Sequence, residues 1–172
     1  MQEAFVVILM GSDSDMPKVQ AALDVLNTFA IPYEVRVHSA HRTPDVTHQY
    51  VVDADGRGAA VFVACAGMAA HLAGVVASLT LKPVIGVPID AGPLNGVDAL
   101  LSTAMMPSGI PVATVAIGKA GAKNAGYLAA QIMALSNPVL TEKIKEERAK
   151  GRDAVLAKNQ AIQDRVKSQK SS

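Results

Sequence analysis

The sequence predicts an α/β domain built on an open five-stranded parallel sheet with helices on both faces. Strand-length apolar runs alternate five times with segments of helical period. The runs are apolar at successive positions, most plainly Phe5–Met10 and 60–66, as strands covered on both sides must be. Most elements end in Gly or Pro: Gly11, Gly56, Gly58, Pro88, Pro107 and Gly109. Right-handed crossovers with one reversal of strand order then follow, and five strands favour the order 2-1-3-4-5. That is a flavodoxin-like three-layer αβα sandwich, with a ligand crevice at the carboxyl ends of the strands.

The first strand, Phe5–Met10, leads through Gly11-Ser12-Asp13-Ser14-Asp15 into a helix patterned by Val19, Ala22, Leu23, Leu26 and Phe29. Pro17 fits only its first turn. Residues 33–38 form the second strand, and Ser39-Ala40-His41-Arg42-Thr43-Pro44 turns it into a helix over 46–55. The third strand, 60–66, is followed by Gly67 to Gly74 and a helix over 69–79. A short strand at 84–87 is closed by Pro88, and a Gly, Pro and Asp-rich loop covers 89–95. A helix from Gly96 to Thr103, a fifth strand at 111–117 and a helix over 122–135 complete the domain, expected to span residues 1–137. Gly118-Lys119-Ala120-Gly121 reads as a tight strand-to-helix turn. Residues 138–172 are expected to form a helical arm of two short helices broken near Gly151, the second striped by Val155, Leu156, Ile162 and Val166. So thin a stripe needs another surface, and a neighbouring subunit would supply it.

Composition narrows the function. Residues 1–140 hold 7 basic and 10 acidic groups, whereas 141–172 hold 9 basic and 5 acidic. A body so poor in charge is expected to face other subunits. Six aromatics and no Trp leave the core to Ala, Val, Leu and Ile, and with near-neutral net charge they argue against a nucleic-acid groove. No apolar run reaches membrane-span length, Val6 to Met10 lacks a basic leader, and the single Cys65 rules out an internal disulfide. The expected compartment is the cytoplasm. No His, Cys and Asp cluster has metal spacing, and the usual dinucleotide and phosphate-loop glycine motifs are missing. Cys65, on a buried strand, reads as packing, and His38 and His48 as structural or exposed.

The turns after the first three strands converge in this architecture. They bring together hydroxyls, the Asp13 and Asp15 carboxylates, His41, His71, Arg42 and several glycines. Histidine moves protons near neutral pH, an arginine fork suits phosphate or carboxylate, and helix N-termini attract anions. Asp15 reads either as a helix cap or as a partner for ligand hydroxyls.

Met10-Gly-Ser-Asp-Ser-Asp15, Ser39-Ala-His-Arg-Thr-Pro44, Ala69-Ala-His-Leu72, Gly86-Val-Pro88, Gly109-Ile-Pro-Val112 and Ala116-Ile-Gly-Lys-Ala-Gly121 resemble the N5-carboxyaminoimidazole ribonucleotide mutases of purine biosynthesis, in order and spacing over residues 5–135. The resemblance implies an octamer with sites between subunits. It also implies conversion of that ribonucleotide to 4-carboxy-5-aminoimidazole ribonucleotide without metal or organic cofactor. Ser12, Asp15 and Arg42 would hold the ribose phosphate part and Ser39 would line the same pocket. His41 would be the acid/base, and Gly67, Ala69, Ala70, His71 and Leu72 would bound the reacting carboxylate. The family usually has Gly at Met68, Pro at Ala73 and Gln at Met105. A related class that carboxylates aminoimidazole ribonucleotide with free CO2 typically carries Arg-Ser-Asn where Ala69-Ala70-His71 stands, so the third turn favours the mutase. A flavin module would need aromatics at the strand ends. A phosphate-accepting receiver would pair Lys119 with Asp13 and Asp15 but would also need an Asp ending the third strand.

Overall fold

The computed structural model describes residues 4–170. Its elements are β1 (Phe5–Met10), a 3₁₀ turn (Asp13–Asp15), α1 (Met16–Thr28), β2 (Tyr33–Val37), α2 (Pro44–Gly56), β3 (Ala59–Gly67), α3 (Leu72–Ala77), β4 (Val84–Ile89), α4 (Val97–Ala104), β5 (Ala113–Thr114), α5 (Gly118–Ala134) and α6 (Pro138–Lys170). All strand pairs are parallel and the order is β2-β1-β3-β4-β5, as the alternation of the sequence predicts. The order reverses between β1 and β3, so the chain leaves their carboxyl ends in opposite directions and a crevice opens there.

Side chains alternate faces along each strand. Phe5, Val7 and Leu9 of β1 join Phe62 and Ala64 of β3 with Val51 and Ala54 of α2 and Leu72, Ala73 and Val76 of α3 in one buried cluster. The intervening residues Val6, Ile8, Val61, Val63 and Cys65 serve the opposite face and are equally buried. On α5 the buried residues are only Gly and Ala, which allows close packing where bulky side chains are scarce. Phe29 and Tyr127 close the contact between α1 and α5 edge to face, with centroids 5.9 Å apart.

Several boundaries differ from the sequence reading. β4 continues through Pro88, which pairs with Ala66. The Gly86 carbonyl faces β5, where it accepts from Val115 N–H at 3.1 Å. Pro88 nitrogen points the same way but lies beyond the end of β5, so the missing donor costs no rung. β5 is two residues long rather than seven, a short edge strand entered through Pro111, which cannot donate. α3 begins at Leu72, because Ala69–His71 stay in the loop. α5 begins at Gly118, and the turn into it is tight: a Cβ on Gly121 would lie 1.6 Å from the Ala116 carbonyl oxygen.

The chain divides into two compact units, Met1–Met133 and Ala134–Ser172. The second is essentially α6, one unbroken helix of 33 residues where two were expected. Asn137 Oδ1 caps it by accepting from Leu140 N–H at 3.1 Å, and Pro138 occupies the first turn. Gly151 does not break it. An interior glycine costs only about 1 kcal/mol, which the Lys, Glu, Arg and Ala around it offset. No helix among the described residues is long and apolar enough to cross a membrane.

Candidate active site

Three turns at the carboxyl ends of β1, β2 and β3 enclose a cavity of about 320 Å³. In the first, Gly11 N–H donates to Cys65 carbonyl at 3.0 Å and so ties β1 to β3. Ser12 then caps the 3₁₀ turn, its Oγ accepting from Ser14 N–H at 3.3 Å and contacting Ser14 Oγ at 2.8 Å. Asp15 makes no side-chain cap bond to α1, although it stands at the N-cap position. Its side chain is buried and lines the cavity instead. Burial pushes its carboxyl above the usual range, against the opposing pull of the Ser12 backbone N–H and Lys18.

The second turn is a closed hydrogen-bonded ring. Ser39 Oγ accepts from Arg42 N–H at 3.1 Å, Thr43 Oγ1 accepts from Ser39 N–H at 3.1 Å, and Thr43 N–H donates to Ser39 carbonyl at 3.0 Å. With its own groups satisfied, the turn presents His41 and Arg42 outward. Arg36 pairs with Glu34, and Arg57 with Glu34 and Asp53. Arg42 has no ion-pair partner among the described residues and lines the cavity, so its guanidinium is available to an anion. His38 is buried behind this turn, stacked on Tyr50 at 5.0 Å, and burial pushes its pKa down. His48 is exposed on α2.

In the third turn His71 comes to meet His41. His41 Nε2 and His71 Nδ1 are 2.8 Å apart and the rings are perpendicular, with centroids 4.9 Å apart. Such a bond requires one ring nitrogen to donate and the other to accept. One of the two rings therefore presents a bare nitrogen to the N–H of the other. The apolar part of the lining is mostly small, with Met68 and Leu72 as its bulky members beside Ala40, Ala66, Gly67, Ala69 and Ala91.

Of the residues singled out from the sequence, Ser12, Asp15, Ser39, His41, Arg42, Gly67, Ala69, His71 and Leu72 all line this one cavity. Ala70 does not. It is 1% exposed, its methyl group buried rather than facing the cavity. Sequence reasoning missed Gly11, Ala40, Ala66, Met68 and Ala91, apolar residues that contribute shape rather than chemistry. Ala91 was within reach, since it lies in the Gly, Pro and Asp-rich loop at the carboxyl end of β4, where strand-end logic places ligands. That loop is fastened from outside: Lys18 Nζ sits 2.8 Å from Asp90 Oδ1 and 2.7 Å from its carbonyl oxygen. Cys65 is fully buried and burial pushes its thiol up, so it is packing and not a nucleophile. Among the described residues, no three His, Cys, Asp or Glu side chains converge as a metal site would require.

Residues 5–154 match the family model described as AIR carboxylase. The chain is 50% identical to the N5-carboxyaminoimidazole ribonucleotide mutase of Pseudomonas aeruginosa over 153 residues, 89% of this chain and 94% of that one. It is 49% identical to the mutase of Bacillus subtilis over 154 residues, covering 90% and 95%. It is also 54% identical to that of Pyrococcus abyssi over 141 residues, covering 82% and 80%. A crystal structure of Treponema denticola PurE superposes with a TM-score of 0.82 at 29% identity, covering 90% of this chain and 96% of that one.

Proposed function

The chain belongs to the AIR carboxylase family, and on that premise we propose that it is an isomerase converting N5-carboxyaminoimidazole ribonucleotide to 4-carboxy-5-aminoimidazole ribonucleotide in purine biosynthesis. The observation that carries this reading is the His41–His71 hydrogen bond, set between an unpaired arginine and a small apolar lining. Moving a carboxyl group from nitrogen to ring carbon delivers one proton and removes one. The carbamate N–C bond breaks with its electron pair left on nitrogen, which takes a proton. The ring carbon bonds the released carbon and gives up its own proton. His41 serves both transfers, and His71 is the neighbour that can accept or return the proton at Nε2 between them. Arg42, Ser12, Ser39 and Asp15 hold the ribose phosphate, the arginine taking phosphate and the Asp15 carboxylate taking sugar hydroxyls. The apolar lining around the cavity disfavours water beside the transferring group.

The reading carries a cytoplasmic homo-octamer in which α6, as an arm, packs on a neighbouring subunit. It is supported by the exposure of Val46, Val97, Leu101 and Met105, each half or more exposed in one chain. Light scattering at micromolar concentration should find many subunits, and a dilute, active monomer would contradict it.

The chemical reading is tested with unlabelled carbamate substrate in labelled bicarbonate. A mutase passes on the substrate's own carboxyl group, so early product should carry little label. Product labelled to the level of the buffer would instead mark a carboxylase using free CO2.

A further inference from the structure

We propose that Met68 determines retention of the transferring carbon: its side chain covers the cavity rim so that carbon dioxide freed from nitrogen is recaptured rather than exchanged with solvent. The inference rests on the mutase reading above and concerns this chain's own third turn, since the resembling mutases usually carry glycine at this position. Met68 adopts φ +55, one of three non-glycine residues with positive φ among those described, with Ala30 and Asn95. A left-handed backbone costs an L residue about 1–2 kcal/mol that glycine would not incur. Strain of that kind at a cavity calls for a compensating role.

The side chain shows what the role is. The loop after β3 and the loop after β4 lie edge to edge, with bulk alternating between them. A Cβ on Gly67 would stand 2.8 Å from Ala91 Cβ, so glycine there admits Ala91. One residue further the bulk changes sides: Met68 Cγ lies 3.6 Å, and Sδ 4.0 Å, from where a Cβ on Gly92 would stand. The β4 loop is tied to α1, where Lys18 contacts Asp90 at both its carboxylate and its carbonyl. Met68 therefore spans from its own loop to the neighbouring one, while lining the cavity and remaining 56% exposed. Its unbranched thioether can follow a ligand's shape without leaving the rim.

The chemistry needs such a cover. Carbon dioxide is small and uncharged, so Arg42 and Asp15, which hold a charged nucleotide, have little grip on it. Only closure by apolar groups delays its escape between N–C cleavage and C–C formation. Met68→Ala removes that cover while leaving a residue with ordinary backbone preferences, and Met68→Leu keeps its bulk.

Unlabelled carbamate substrate is given to parent, Met68→Ala and Met68→Leu in labelled bicarbonate. Label in early product and carboxylated product per substrate consumed are measured together, with melting temperature as the check on folding. The expected result is severalfold more label and less product per substrate for Met68→Ala, near-parent values for Met68→Leu, and similar melting for all three. Low label in the parent with equally low label and full coupling in Met68→Ala would overturn the role of Met68 alone. A parent product labelled to buffer level would overturn the mutase reading and this inference with it.

Discussion

Replacing Arg42 by lysine keeps the charge and removes the fork. In the free protein the Arg42 guanidinium has no ion-pair partner among the described residues, so all of its hydrogen-bonding capacity is available to substrate. It stands just ahead of α2, whose 13 residues add a partial positive charge at the same end. A bidentate arginine gives a phosphate two parallel bonds, and lysine gives one. A hydrogen bond to a charged group contributes about 1.5–3 kcal/mol, and solvent competition at the exposed Arg42 brings the loss down to about 1–2 kcal/mol. Titration calorimetry with aminoimidazole ribonucleotide should therefore show a Kd raised about 5–30-fold. Arg57→Lys is the control: Arg57 is occupied by Glu34 and Asp53 and should leave Kd unchanged. Arg42→Lys binding within twofold of the parent would refute the anchoring argument and return this turn to an ordinary solvated surface.

Asp15→Asn should separate stability from binding. Burial raises the Asp15 carboxyl above its ordinary value, so the folded state binds a proton more readily than the unfolded one. The burial penalty is full above the folded pKa and fades as pH falls toward 3.8, so the variant should melt higher than the parent at pH 7, converge with it near pH 4, and bind ribonucleotide more weakly. Glu34 behaves in the opposite sense. The Arg57 hydrogen bond, with Tyr50 assisting, holds its carboxyl at about 2. Its contribution is complete above the ordinary 4.5 and is lost as pH falls through about 2. Solvent screening around these partly exposed groups limits it to about 1 kcal/mol. Acid unfolding of the parent should thus be steeper between those values than that of Arg57→Met, and parallel curves would contradict the pairing.

How far the fold could be read in advance depended on which forces act locally. The buried runs of β1 and β3 and the helical stripe of α1 announce themselves, because a sheet covered on both faces demands continuous apolar strands. Residues 111–117 look like a seven-residue strand, but only pairing decides length, and the ladder stops after Gly86 meets Thr114. Gly151 alone suggests a break, but the strong helix formers on either side carry α6 through it. At the site, residues with chemistry were legible: His41, Arg42 and Asp15 stand out in a chain sparing of charge. The His41–His71 contact was not, since it joins residues 30 apart whose meeting depends on how two turns converge. The same holds for the Met68–Gly92 fit, which exists only when two loops are laid side by side.

The proton role of the imidazole pair is the centre of the proposed chemistry, and His41→Asn tests it most directly. Asparagine preserves some hydrogen bonding toward His71 but cannot carry a proton near neutral pH. Single-turnover conversion of the carbamate substrate should slow by about 10²–10⁴-fold while the substrate Kd stays within a few-fold of the parent. A His41→Asn enzyme that converts bound substrate at the parent rate would contradict the account.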